Sequence, residues 1–206
     1  MTLRLNGSTS GYTEIDAPAV AGNNSIALPA GNGSAYQVVR NGATAGSLEF
    51  ADKIVSGTAQ ASTSGTSIDF TGIPSWVKRI SVLLRGVSTN GASSVMIQLG
   101  TSSGIEATGY SGSVDFVEDN AAGTTFSTGF LVDRALAATD VRTGKMIIEA
   151  FGSNIWNEQS IVSNALTSLL LGAGDKALSG TLDRVRITTV NGTDTFDAGS
   201  INILYE

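Results

Sequence analysis

The chain has 206 residues, a formal net charge of −6, only 15% charged residues, and neither cysteine nor histidine. Without Cys there is no disulfide framework, iron–sulfur cluster or thiolate zinc site. Without His the commonest general base, zinc ligand and pH switch disappear together. The basic residues are scattered, with Lys78-Arg79 the one adjacent pair, so nucleic acid and anionic membrane surfaces are poor partners.

The length suits one large β domain, or a small N-terminal element followed by a single core. Few charges and ordinary apolar content leave the surface to Ser, Thr, Asn and Gly, a composition of particle-borne or extracellular β proteins rather than of disordered chains. No basic-plus-apolar leader and no apolar run near ~18 residues occurs, so a soluble chain made in the cytoplasm is expected.

The first fifty residues offer short strand candidates at Leu3–Leu5, Tyr12–Ile15, Ser25–Leu28, Tyr36–Arg40 and Leu48–Phe50, cut by Asn-Gly, Gly-Asn, Ser-Gly and Ala-Pro. Each is too short to bury a face alone. Residues 1–50 are therefore expected as an assembly segment that lies against its own C-terminal domain or other chains. Residues 51–67, ADKIVSGTAQASTSGTS, have a linker composition, and a long surface loop is the other reading.

From residue 68 onward a period-2 pattern takes over. Trp76, Lys78, Ile80, Val82 and Leu84 share one face of a predicted strand, with Arg79, Ser81 and Arg85 on the other. Val95, Ile97 and Leu99 alternate next, followed by 146–151, then Val185 and Ile187, then Ile201, Ile203 and Tyr205. Asn-Gly pairs start at Asn6, Asn32, Asn41, Asn90 and Asn191, and the last two sit between alternating runs as hairpin turns would. The stretch Gln159–Leu171 fits helical spacing and strand–turn–strand equally well. Trp76, at a strand start after Pro74, is expected in the core. The predicted fold is all-β: an antiparallel sandwich or jelly-roll-like domain over 68–206, preceded by the extended, short-stranded segment.

The opening LRLNGSTSGYTEIDAPAVAGNNSIALPAGNGSAYQVVRNGATAGSLEF resembles the N-terminal module of virion structural proteins of tailed bacteriophages, cyanophages especially. FTGIPSWVKRISVLLRGVSTNGASSVMIQLG and TLDRVRITTVNGTDTFDAGSINILYE resemble segments at the ends of phage fibre or appendage proteins. The resemblance implies an anchoring N-terminal module and carries over no catalytic residue. Its partners would be further copies of the chain, a homotrimer above all, together with the phage tail or baseplate or the major capsid protein. A host surface glycan is the third expected partner.

Several motifs have simpler readings. Gly100-Thr-Ser-Ser-Gly104 matches the serine-hydrolase elbow but has no histidine to take the proton, so a Ser/Gly turn is expected. Gly172-Ala-Gly-Asp-Lys176 lacks the spacing and hydroxyl of a phosphate loop, and a helix cap with a turn is expected. Asp115, Glu118 and Asp119, like Asp194 and Asp197, do not match a calcium loop. No cofactor or metal is expected. Glycan cleavage by paired acids is disfavoured, because phage spikes that do so usually sit on long β-helices, for which 206 residues leave no room.

The residues expected to touch a receptor or partner are Tyr110, Phe116, Trp156, Asn157 and Glu158. They lie in predicted loops over 101–125 and 152–160 with Gly- and Ser-rich surroundings. The alternative for Trp156 is core or subunit interface. The expected function is that of a non-enzymatic protein on the virion exterior, as a trimeric short tail fibre in host attachment or as a capsid cement protein.

Overall fold

A computed structural model describes residues 3–15, 22–34, 37–117, 123–134, 137–164 and 168–206. It is all-β: among the described residues there are eighteen strands and no helix. The chain divides into two compact units, 1–53 and 54–206.

The first unit contains two hairpins. β1 (Leu3–Asn6) pairs with β2 (Tyr12–Ile15), and β3 (Val38–Asn41) pairs with β4 (Leu48–Ala51), both antiparallel. Of Ser25–Leu28, only an isolated parallel bridge from Ala27 to Ser47 forms. Tyr36 lies outside the described residues. The alternating pattern is too short to hide either face, and Leu3, Leu5, Tyr12 and Ile15 are all more than half exposed.

The second unit has two antiparallel sheets. The larger, curled one uses β5 (Val55–Ser56), β6 (Gln60–Ala61), β8 (Arg79–Thr89), β11 (Tyr110–Phe116), β12 (Thr124–Phe126), β14 (Arg142–Gly152), β15 (Ile155–Asn164), β16 (Ser168–Ala177) and β18 (Phe196–Tyr205). Its order is β12-β11-β16-β15-β14-β8-β18-β5, with β6 also on β18. The smaller uses β7 (Ser67–Thr71), β9 (Val95–Thr101), β10 (Gly104–Ile105), β13 (Phe130–Leu131) and β17 (Arg184–Thr189), in the order β10-β9-β17-β7 with β13 also on β9. The inner residues of both sheets form one apolar cluster, including Ile80, Val82, Ile97, Leu99, Phe130, Met146, Val185 and Ile201, as a sandwich-like fold requires. Within the expected linker, β5 and β6 are edge strands on β18.

Alternation in β8 puts Ile80, Val82 and Leu84 inside, then the phase changes and Val87 and Thr89 are inside. Gly86 (φ 63°) is the extra residue, since the single Gly199 (φ 94°) of the paired β18 lies opposite both Gly86 and Val87. A Cβ on Gly199 would run into the Gly86 carbonyl, so the bulge needs glycine opposite it.

Three sequence expectations are corrected here. Asn90-Gly91 joins β8 to β9 and Asn191-Gly192 joins β17 to β18, so each links the two sheets rather than closing a hairpin. Their polar groups stitch that corner: Asn90 Oδ1 accepts from Thr195 N (2.9 Å), and Asn191 Oδ1 from Thr193 N (3.0 Å). Of the two readings left open for Gln159–Leu171, the described residues take the strand one, in β15 and β16, with 165–167 outside the described residues. Gly172–Lys176 is the interior of β16 rather than a cap and turn. Trp76 is 43% exposed, tilted against Tyr205 with ring centroids 5.9 Å apart. Gly100–Gly104 is a tight β9–β10 turn, with Thr101 opposite Gly104.

Candidate functional site

The stretch 152–160 is not a loop. Gly152 pairs with Ile155, so Ser153 and Asn154 alone form the turn of a two-residue hairpin between β14 and β15. Both have positive φ, 50° and 62°, as a type I′ turn demands. Beyond it β15 alternates: Trp156, Glu158, Ser160, Val162 and Asn164 are buried, while Asn157 and Gln159 face out. Likewise Tyr110–Phe116, within the expected 101–125 loop, is strand β11. Glu118 and Asp119 lie outside the described residues.

The five expected contact residues therefore separate. Tyr110 is buried, its ring edge-on to Phe130 (centroids 4.9 Å apart), its hydroxyl accepting from Leu99 N (2.6 Å) and donating to Glu106 O (2.9 Å). Burial pushes its phenol well above the ordinary range. Phe116 is half-buried beneath the Arg134 guanidinium, 5.4 Å from the ring centre. Trp156 and Glu158 are buried, which leaves Asn157 as the one exposed member.

Next to Tyr110, the buried Lys176 donates to Glu106 (2.7 Å), which also accepts from the Ser179 amide (2.9 Å) and hydroxyl (2.6 Å). Burial pushes the Glu106 carboxyl up, but these hydrogen bonds outweigh it and hold the group below its usual value. The cluster ties the β9–β11 connection to the end of β16. It is a structural clamp.

Glu158 differs from every other acid among the described residues. It is 4% exposed, neither carboxylate oxygen has a hydrogen-bond partner, and burial alone raises its pKa to about 8. It faces Gly174 across the β15–β16 ladder, and Ser160 faces Gly172. A Cβ on Gly172 would run into Ser160 Oγ, so glycine leaves these polar side chains their space. An acid with a raised pKa is a signature of catalysis only inside a cleft with a second group to work with. Glu158 lines none of the five best-formed clefts of the described residues.

A cleft at this end of the sandwich holds about 240 Å³, between the segment Pro74–Lys78, the β14–β15 hairpin and the segment Thr181-Leu182. Ser75, Ser153, Asn154 and Thr181 supply hydroxyls and an amide, and Trp156 supplies an apolar floor. Lys78 is its only charged lining residue; no carboxylate lines it. Phe151, 75% exposed, stands on the same hairpin. Such a site can hydrogen-bond a polyol and offer it an aromatic edge, and has no acid or base pair to cleave it. Phe151 closes the run 146–151 that the sequence assigns to a strand, and it ends exposed on that strand. Of the acids weighed as calcium ligands, Asp115 pairs with Arg134 (3.0 Å), Asp194 accepts from Ser93 N (3.0 Å), and Asp197 accepts from the Ser88 hydroxyl. No protein-family model matches the chain, and no curated protein or solved structure matches it either.

Proposed function

We propose that the protein is a non-enzymatic structural component of the exterior of a tailed-phage virion, most plainly a homotrimeric short tail fibre that contributes to host attachment. The observation that carries this reading is the split between a cored sandwich, 54–206, and a first unit that leaves many of its apolar side chains exposed. In that first unit Leu3, Leu5, Tyr12, Ile15, Ile26 and Leu28 are 52–79% exposed. Side chains of this kind need a partner to remove them from water. Under this reading the partner is the tail or baseplate, the sandwich end presents the hairpin cleft outward, and a host surface glycan is the ligand.

The same exposed hairpins favour a second placement. As a capsid cement protein the chain would interlock with its copies on the major capsid protein, with the sandwich facing solvent. Copy number separates the two: in purified particles, the stained band of this chain is compared with the major capsid protein. A fibre gives a small fraction of the capsid band, a cement protein a comparable one. Absence of the chain from purified particles overturns both.

A further inference from the structure

The outer face of the large sheet carries a second, unrelated feature. Four exposed apolar side chains stand together there: Ile161 (52%), Leu171 (48%), Leu169 (40%) and Val117 (54%). Ile161 is the direct cross-strand neighbour of Leu171, and the Val117 amide bonds to the Leu169 carbonyl. They are therefore one patch and not a scatter of single residues.

The register orders the row through its centre. Lys145 on β14 is opposite Ile161 on β15, Ile161 is opposite Leu171 on β16, and Leu171 is opposite Asp115 on β11. The row thus reads cation, apolar, apolar, anion, and these four side chains border a single depression of about 560 Å³. Three strand spacings, about 14 Å, keep Lys145 from reaching Asp115 within one chain. Among the described residues Lys145 makes no ion pair, whereas Asp115 meets Arg134 through Oδ1 and keeps Oδ2.

We propose that this face packs against a second copy of the chain, around a rotation axis parallel to β15 and β16. Turning one copy about such an axis carries its Asp115 flank toward the Lys145 flank of the next, and brings Ile161 and Leu171 together at the centre. That holds for a two-fold and for a three-fold axis, because opposite charges on opposite flanks are self-complementary under any such rotation. A glycan does not fit: the patch is aliphatic, with no aromatic face to stack on a sugar. An anionic membrane does not fit either, given the net charge of −6. From the proposed function the inference takes only that copies associate; it holds wherever the protein acts.

The experiment is sedimentation equilibrium of the full chain across a concentration series up to ~100 µM, a range that detects weak and strong interfaces. The wild type should sediment as a dimer or trimer. Leu171→Asp should shift it to monomer, and Lys145→Glu should weaken association by about tenfold. Both positions are exposed, so circular dichroism and melting should be unchanged. Phe151→Asp, exposed but on the hairpin, should leave the oligomer intact. A monomeric wild type overturns the proposal, as does an oligomer unmoved by both patch variants. The second outcome would place the contact between copies elsewhere and leave the virion reading standing.

Discussion

Arg142 and Asp133 form a fully buried ion pair that joins the two sheets, Nε to Oδ2 at 2.5 Å, with both side chains at 0% exposure. Asp133 follows β13 of the small sheet and also accepts from Val95 N (2.9 Å), while Arg142 opens β14 of the large one and donates to Asp140 O (3.0 Å). Two desolvated charges are tolerated here because each is held by the other and by backbone. Removing one strands its partner in the core. Arg142→Ala or Asp133→Ala should each cost about 3–5 kcal/mol, whereas the joint change to Met and Leu should cost clearly less than either. Denaturant unfolding followed by the fluorescence of the buried Trp156 reads all three; equal costs for single and double variants would contradict the pairing.

Glu158 should make stability fall as pH rises. Its folded pKa, about 8, is above the usual 4.5, because burial disfavours the carboxylate. The folded state therefore holds a proton that the unfolded chain releases between those values. Its contribution is intact below about pH 4.5, declines through the window, and levels off above about pH 8. By pH 7 the loss is of the order of 3 kcal/mol. Glu158→Gln should be more stable than wild type at pH 8, while the two converge near pH 4.5. A difference between them that does not change with pH would refute the buried, unpartnered carboxyl.

These same residues show where the sequence could and could not be read. Ile80, Val82 and Leu84 were legible because clean alternation commits them to one face, and so was the all-β class. The phase change at Gly86 was not, since nothing local to 79–89 reveals that Gly199, over a hundred residues later, lies opposite it and leaves its carbonyl room. Trp156-Asn-Glu-Gln-Ser reads as loop because Glu158, Ser160 and Asn164 put polar groups on a buried face and erase the period-2 signal. The Asn-Gly pairs identified turns correctly in position, but a turn residue does not encode which sheet the next strand joins. That depends on long-range burial. The candidate site suffered most: only Asn157 of its five residues is exposed.

The bulge at Gly86 gives a sharper test of the backbone. At Gly199 an added methyl meets the Gly86 carbonyl, and φ of 94° is itself unfavourable for an L residue. Gly192 has φ of 67° with nothing within 4 Å of an added Cβ. Gly199→Ala should thus cost about 3 kcal/mol, strain plus overlap, and Gly192→Ala only about 1 kcal/mol, conformational strain alone. Melting of the two variants side by side decides it, and equal losses would mean that the bulge relaxes away from Gly199.

The last prediction concerns attachment and follows from exposure rather than residue type. Phe151, Ser153, Asn154 and Asn157 stand at or beside the hairpin turn with side chains in solvent, so exchanging them removes surface and little packing. Trp156, at 6% exposure, is different: its truncation to Ala should cost about 3–5 kcal/mol and lose binding by unfolding. Phe151→Ala with Asn157→Ala should leave stability within about 0.5 kcal/mol. If the cleft takes a host glycan, that double variant should lose cell-surface binding by the purified oligomer. The loss should exceed that of one weak site, since avidity multiplies it over every copy. Unchanged binding, with fold and mass intact, would remove the hairpin end from attachment and move the capsid-cement reading to first place.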